Sequence, residues 1–242
     1  MTAVYILAGS SVLTGGIAAY FAAKNSHLLK LAFKTTASLL FCITALAAFL
    51  HSAVNEPSYA ASVILALIFG LVGDIFLAVE NFYTDKKVSS VLMLTGGASF
   101  LAGHLFYIVI LFRIAPFSPV SLAAALSVPA LFLLLSLIPV IKTNDGKRVP
   151  VLGAGKLLIP FLIYALILGL MLAASLNAYI YRKDNAGTLL LTAAVLFTLS
   201  DVSLAVNAFP SADFKIKPYL NYPVFILYYA AQVLFAASVA FV

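Results

Sequence analysis

Charge is scarce in this sequence, and cysteine is nearly absent. Of the 242 residues only 9% are charged, whereas 64% belong to the hydrophobic set. Soluble globular domains have about 45–50% apolar and about 25% charged residues, so this composition excludes a soluble fold, a disordered chain, collagen and a coiled coil. The single cysteine, Cys42, excludes an intramolecular disulfide framework. The chain is therefore predicted to be an integral membrane protein.

Apolar runs divide the chain into eight predicted spans. A transmembrane helix needs about 20 apolar residues, which leaves only short loops and no room for a separate catalytic domain. We predict an all-α membrane protein, an eight-helix transmembrane bundle that forms a single domain over residues 1–242. The first span has no positive segment before it, so it is interpreted as a retained helix. The spans are about 3–22, 31–50, 59–80, 89–112, 118–141, 155–178, 187–207 and 220–241.

The loop cations predict the orientation of the bundle. Short loops rich in Lys and Arg stay on the cytoplasmic side, and 11 of the 14 cations fall in the odd-numbered connections or their flanks. These are Lys24, Lys30, Lys34, Lys86, Lys87, Lys142, Lys147, Arg148, Lys156, Lys215 and Lys217. Both termini are therefore expected outside the cytoplasm, in the inner (plasma) membrane if the protein is bacterial. Because the cations are scattered rather than gathered on one face, we expect no nucleic-acid partner.

An internal repeat relates the third span to the seventh. The strings Gly73-Asp74-Ile75-Phe76-Leu77-Ala78-Val79 and Ser200-Asp201-Val202-Ser203-Leu204-Ala205-Val206 share the pattern small-Asp-x-x-Leu-Ala-Val. An offset of four spans preserves direction, so the repeat predicts a parallel four-plus-four duplication with halves at about 1–115 and 116–242. Both aspartates then lie about 9 Å from the cytoplasmic ends of their helices, on faces rich in small residues that point into the bundle.

Asp74 and Asp201 are the principal functional candidates. An ionisable residue inside a span costs about 2.5–3.5 kcal/mol on insertion scales and is a functional candidate by default. The alternative is that each aspartate only joins helices, by bonding a neighbouring helix or by pairing with Lys34 or Lys156. Both lysines lie near cytoplasmic helix ends and can also extend to the lipid headgroups.

Several other polar side chains lie within spans. His104 is the only histidine in a span, and Tyr107 shares its helical face. Each of these two side chains is either a packing contact between helices or part of a functional site. The remaining candidates are Tyr164 in the sixth span, Asn207 near the end of the seventh, and Tyr228, Tyr229 and Gln232 in the eighth.

Other familiar sites are not supported by the sequence. No second histidine or cysteine follows His104 at i+3 or i+4, so no metal site is expected. The chain has neither a glycine-rich phosphate loop nor a Gly-x-Ser-x-Gly elbow, so covalent serine catalysis is not indicated. We expect no cofactor.

Four motifs in order resemble the YhhN family of integral membrane proteins, whose members include the lysoplasmalogenases. The resemblance extends over nearly the whole chain and includes the eight-span layout and a lysine near the start of the second span. The family often has Lys-Pro there, whereas Lys34 is followed by Thr35. The motifs are Gly73-Asp74-x-x-Leu77, Gly103-His104-x-x-Tyr107, Ser200-Asp201-x-x-Leu204-Ala205 and Tyr228-Tyr229-x-x-Gln232.

The resemblance implies cleavage of the vinyl ether bond of a lysoplasmalogen to a fatty aldehyde and a glycerophospho-alcohol. Two carboxyl groups suit this reaction, since one can protonate the substrate while the other stabilises the cation and activates water, as in glycosidases. Either aspartate can take either role in this scheme. The expected partners are a lysophospholipid or other lipid substrate and the membrane lipids. The oligomeric state is left open by the sequence.

The remaining polar residues are expected around the same substrate. Lys34 is placed to hold the phosphate, and His104, Tyr107, Tyr164, Tyr229, Asn207 and Gln232 are candidate substrate-binding residues. His104 poses a difficulty, because it lies about 22 Å into its predicted span, deeper than Asp74. Its place in the site requires that the fourth helix begin later or break near Gly96-Gly97.

Two alternative functions fit the same residues. Interior carboxylates and parallel repeats are also typical of a proton-coupled transporter of lipids or small molecules. Helix breaks of the kind such carriers use are few here, at Gly96-Gly97, Pro160 and Pro223. The second alternative is a non-catalytic receptor or scaffold in which both aspartates hold helices together.

Overall fold

The chain forms a bundle of α-helices. The computed structural model describes residues 1–52, 56–143, 146–153, 155–209, 211 and 220–242. Seven of the described helices are long and apolar enough to cross a membrane, and the eighth carries Tyr228, Tyr229 and Gln232, which make it less apolar. The predicted eight-helix membrane bundle is confirmed. Within the described residues the helices are α1 (Thr2–Ala23), α2 (His27–Leu50), α3 (Pro57–Val79), α4 (Lys86–Ile114), α5 (Pro119–Leu137), α6 (Leu158–Arg182), α7 (Asn185–Ala208) and α8 (Asn221–Ser238).

Local sequence signals set several helix starts. Pro57 and Pro119 occupy the first turns of α3 and α5, where a missing N–H costs no hydrogen bond. The Asp85 carboxylate accepts a hydrogen bond from the backbone N–H of Lys87 at the start of α4. Asp184 caps α7 in the same way. These caps satisfy N–H groups that a helix end otherwise leaves without a partner.

The connection between α5 and α6 differs from the prediction. The predicted span 118–141 extends too far, because α5 ends at Leu137. Pro139 explains the early end, since proline cannot continue the helical hydrogen bonds and biases the residue before it toward extended backbone. A short antiparallel hairpin follows, β1 (Ile141–Lys142) with β2 (Arg148–Val149). After a 3₁₀ turn, α6 then begins three residues later than predicted, at Leu158.

Helix α4 is longer than the predicted span and unbroken. It begins at Lys86 and runs through Gly96 and Gly97 without a break. The later start or break that was expected from the depth of His104 is therefore wrong. Its 29 residues correspond to about 43 Å, which exceeds the hydrocarbon thickness of about 30 Å. The helix is therefore longer than the hydrocarbon is thick, so a count of residues from its start does not give the depth of His104 in the bilayer.

Six helices enclose the interior of the bundle. Successive packing of α2 on α3, α3 on α4, α4 on α6, α6 on α7, α7 on α8 and α8 on α2 closes a ring. Helix α1 packs outside this ring on α2 and α8, and α5 packs on α6. Each half of the chain thus contributes its second, third and fourth helices to the ring. The predicted four-plus-four duplication would give this arrangement, and the duplication itself stays a prediction.

Small residues let the helices approach closely. A Cβ on Gly103 of α4 would lie 3.0 Å from the carbonyl oxygen of Ala66 on α3, and one on Gly169 of α6 would overlap the backbone of Ala125 on α5. Such contacts replace the hydrophobic driving force that lipid does not provide between helices. Large apolar side chains cover the outside of the bundle, among them Leu13 and Leu50, as expected of a surface in contact with acyl chains.

The predicted orientation depends on the loop cations and stays a prediction. Lys215 and Lys217 lie outside the described residues, as does the side chain of Lys156.

Candidate active site

Asp74 lies at the centre of a buried polar cluster formed by α2, α3 and α8. Lys34 Nζ lies 3.0 Å from Asp74 Oδ1, and the two side chains are 10% and 0% exposed. Ser38 donates a hydrogen bond to Asp74 Oδ2 at 2.5 Å. The Tyr229 hydroxyl lies 3.5 Å from the same oxygen and donates to the Lys34 carbonyl oxygen at 3.1 Å. The Asp74 carboxylate therefore has both a cation and hydroxyl donors around it.

The helical register of α2 produces this cluster. Lys34 and Ser38 are four residues apart, so they lie one above the other on the face of α2 that contacts α3. The Lys34 ammonium also lies 5.4 Å from the centre of the Phe225 ring, a cation–π distance. The sequence identified Lys34, Asp74 and Tyr229 but missed Ser38, whose one signal was its i+4 spacing from Lys34.

Asp201 lies in a second cluster formed by α4, α6 and α7. The Tyr164 hydroxyl donates a hydrogen bond to Asp201 Oδ2 at 2.5 Å. His104 Nε2 lies 3.9 Å from the same oxygen. Within the described residues no lysine or arginine pairs with Asp201, so its surroundings differ from those of Asp74.

His104 is held by its own helix and by aromatic neighbours. Its Nδ1 atom lies 2.6 Å from the carbonyl oxygen of Phe100, and the ring centre lies 4.7 Å from that of Phe197 in an edge-to-face arrangement. The side chain is 2% exposed. These contacts fix the plane of the imidazole and direct Nε2 toward Asp201.

A narrow void in the interior is lined by His104 of the second cluster. It has a volume of about 170 Å³, and no part of it is wide enough for a water molecule. The Tyr107 hydroxyl donates to Gln232 Oε1, and Gln232 Nε2 donates to the Tyr228 hydroxyl, each at 3.1 Å. The void is lined by Ala66, Gly70, Phe100, Gly103, His104, Tyr107, Phe197 and Gln232.

Neither aspartate is among the residues that line this void. His104 lines it directly, and Asp74 follows Gly70 by four residues on the same face of α3, about 6 Å along the helix. The Tyr228 ring packs edge-to-face on Phe100 and on Phe197. No hydrogen bond or ion pair in the described part of the chain joins the two carboxylates directly. The second cluster thus borders the void through His104, whereas Asp74 lies one helical turn from a residue of its wall.

The two clusters also have corresponding origins in the chain. Asp74 on α3 is contacted by α2 and α8, whereas Asp201 on α7 is contacted by α6 and α4. Each aspartate therefore meets the second helix of its own half and the fourth helix of the other half, as the predicted duplication would require.

Not every predicted site residue lies in these clusters. Asn207 donates a hydrogen bond to Asn221 Oδ1 at 3.1 Å and so links the end of α7 to the start of α8. The sequence missed the aromatic side chains of Phe100 and Phe197, because phenylalanine in an apolar span gives no signal that distinguishes a site wall from packing. Across the described residues, no three His, Cys, Asp or Glu side chains are grouped so that they would hold a metal ion.

Comparison with known proteins places the chain in a family. The YhhN family model matches residues 29–239, which include both aspartates and the other residues of the two clusters. No curated protein and no solved structure matches the chain. Because the family match covers nearly the whole sequence, the chain belongs to the YhhN family.

Proposed function

We propose that this protein is a lysoplasmalogenase-like ether hydrolase. The proposed substrate is a lysoplasmalogen, and the products are a fatty aldehyde and a glycerophospho-alcohol. Membership of the YhhN family is consistent with this role. The observation that carries the proposal is the contrast between the two buried carboxyl groups, one paired with a lysine and one without a cation.

Hydrolysis of a vinyl ether makes two distinct demands on a site. A proton must be added to the β-carbon of the double bond, which creates an oxocarbenium ion at the carbon next to the ether oxygen. Water then attacks that carbon, and the hemiacetal collapses to aldehyde and alcohol. Glycosidases meet the same demands with one protonated and one ionised carboxyl group.

Asp201 is the proposed proton donor. It is 7% exposed, and no lysine or arginine among the described residues neutralises it. Burying a carboxylate without a cation is costly, so such a group stays neutral where it can. The Tyr164 hydroxyl occupies Oδ2, which leaves Oδ1 to carry the transferable proton.

Asp74 is the proposed ionised carboxylate. Lys34 balances its charge, and Ser38 and Tyr229 lie at its Oδ2 atom. A fixed negative charge one helical turn from the void would stabilise the oxocarbenium ion more than the neutral substrate, which is the difference that accelerates a reaction. Lys34 is engaged by Asp74 in this arrangement, so the phosphate-binding role suggested by the sequence requires a different cation or the loss of this pair.

Substrate entry requires the bundle to open. Small-molecule sites usually have volumes of about 300–1,000 Å³, whereas the void is smaller and admits no water. Phe100 and Phe197 line it and pack against Tyr228. We propose that these rings separate to admit the vinyl ether between the two clusters.

The test is aldehyde release by the purified protein in detergent. The wild type is expected to cleave a 1-alkenyl lysolipid and to leave the matched 1-alkyl lysolipid intact, because the saturated ether has no double bond to protonate. Asp74→Asn and Asp201→Asn are each expected to abolish release. Asp85→Asn is the matched control, since asparagine also caps a helix and this cap lies at the start of α4.

Different outcomes would favour the other functions. Release that survives both Asp74→Asn and Asp201→Asn would contradict the two-carboxylate mechanism. No release by the wild type, together with pH-driven uptake of a solute into liposomes, would favour the transporter. The three breaks named from the sequence do not favour the transporter, since α4 passes Gly96-Gly97 unbroken and Pro160 and Pro223 lie in the first turns of α6 and α8.

A further inference from the structure

The tautomer of His104 follows from its hydrogen bond. A carbonyl oxygen only accepts hydrogen bonds, so the 2.6 Å contact between Nδ1 and the Phe100 carbonyl places a proton on Nδ1. In the neutral imidazole the other nitrogen, Nε2, then carries a lone pair. His104 is thereby set up to accept a proton at Nε2.

That nitrogen has no hydrogen-bond partner. Nε2 is fully buried without one among the described residues, although buried polar atoms are nearly always paired. Its nearest acidic atom is Asp201 Oδ2 at 3.9 Å, too far for a hydrogen bond. The Asp201 carboxyl group and Nε2 therefore lie close enough together to act on neighbouring atoms of one substrate, as an acid and a base of one site must.

We propose that His104 is the catalytic base, which accepts the proton of the attacking water through Nε2, while Asp201 is the acid. This proposal rests on the proposed hydrolysis and assigns a role that the two aspartates do not fill. Asp74 is already paired with Lys34, so its part is electrostatic.

The proton transfers balance over one cycle. The Asp201 proton forms the new C–H bond at the β-carbon, which leaves the Asp201 carboxylate and the oxocarbenium ion. As water forms a C–O bond to the cationic carbon, one of its protons passes to His104 Nε2. The protonated imidazole then gives this proton to the glycerol oxygen as that C–O bond breaks. The hemiacetal hydroxyl proton returns to Asp201, which restores both groups and releases the aldehyde.

The surroundings favour this assignment on electrostatic grounds. Before reaction Asp201 and His104 are both neutral, which suits a buried pair without a lysine or arginine. After water attack they form a carboxylate–imidazolium pair, so each new charge is created beside its opposite. Among the described residues, the other titratable groups near this point are Tyr164 of α6, Tyr107 of α4 and Tyr228 of α8. Helices α3 and α8 also contribute Ala66, Gly70 and Gln232 to the void wall.

The test compares two isosteres of His104 in the aldehyde-release assay. Asparagine keeps an N–H near the position of Nδ1 for the Phe100 carbonyl and removes Nε2. Glutamine places an amide near Nε2 that cannot take up a proton. A general base contributes about 10²–10⁴-fold, so both variants should lose that factor in kcat. His51→Asn is the control, because His51 is exposed at the end of α2.

Two further readouts separate a base from a packing residue. The wild-type rate should fall at low pH, where Nε2 is protonated, and at high pH, where Asp201 is ionised. In His104→Asn the fall at low pH should be lost. Free imidazole should restore part of the activity of His104→Ala, because the smaller side chain leaves room for it.

Different outcomes test the role of His104 and the proposed hydrolase activity. Wild-type release with a tenfold or smaller loss in both isosteres, and an unchanged fall at low pH, would overturn the role of His104 and leave the hydrolase intact. No release by the wild type would overturn the hydrolase and the role of His104 together.

Discussion

Replacing Lys34 with methionine should destabilise the protein more than replacing Asp74 with asparagine. The methionine variant leaves the Asp74 carboxylate, whose side chain is 0% exposed, without its cation. The asparagine variant leaves the Lys34 ammonium, which is 10% exposed, lies beside the Phe225 ring and can extend toward the start of α2. The structure therefore predicts unequal losses from the two halves of one ion pair.

The magnitude follows from the burial of the pair. Breaking a buried ion pair by removing one partner costs about 3–5 kcal/mol in soluble proteins. Spans that unfold within a bilayer or micelle find other partners, which lowers such costs. We expect about 3 kcal/mol for Lys34→Met, a factor of about 150 in the folding equilibrium constant. The double variant Lys34→Met/Asp74→Asn should recover about 1–3 kcal/mol of the summed losses, since it leaves no charge unpaired.

The assay is reversible unfolding in mixed micelles at increasing fractions of a denaturing detergent, followed by circular dichroism. Equal losses in the two single variants together with a coupling energy below about 0.5 kcal/mol would refute the buried ion pair.

Three further predictions concern packing, capping and orientation. Gly15→Ala should destabilise the bundle by about 1–3 kcal/mol, because the added Cβ would overlap the Tyr229 ring. Gly16→Ala is the control and should not destabilise the bundle, because the space at its Cβ is open. Equal effects of the two variants in the same micelle assay would contradict the close approach of α1 to α8. Slight burial raises the pKa of Asp184, but the Gly187 N–H and Arg182 lower it more, so the pKa lies below its ordinary value. The contribution of Asp184 to the stability of the fold is therefore complete above about pH 4. It is lost as the pH falls through the lower pKa of the folded state. Asp184→Ala should therefore cost about 0.5–2 kcal/mol at pH 7 and less at pH 3, with Asp184→Asn as the control that keeps the cap; a loss that does not change with pH would exclude this linkage. Alkaline phosphatase fused to the C-terminus should be active in a bacterial host if the loop cations set the orientation, and an inactive fusion with full expression would reverse the predicted topology.

The hydrophobic runs predicted the helices well because each span must satisfy its backbone internally in lipid. The predicted helix ends were wrong where a proline or a capping side chain, rather than hydropathy, determines the end of the helix. Pro139 ended α5 early, and α4 begins before its apolar run, at Lys86, where the Asp85 side chain caps it. Hydropathy detects the bilayer rather than the end of a helix.

The candidate site was predictable in part for a similar reason. Asp74, Asp201 and His104 stand out in the sequence because ionisable groups in spans are rare. Their grouping did not follow from the sequence, since it depends on α8 packing against α2 and on α4 packing against α6. Ser38 could not be distinguished from other span serines until the structure placed it against Asp74.

The most direct test of the proposed chemistry is turnover of a 1-alkenyl lysolipid in D₂O with mass spectrometry of the trapped aldehyde. Protonation at the β-carbon predicts that the wild-type product carries one solvent deuterium on the carbon next to the aldehyde, and that Asp201→Asn forms none of this product. Aldehyde without that deuterium, or labelled aldehyde formed equally well by Asp201→Asn, would contradict the account.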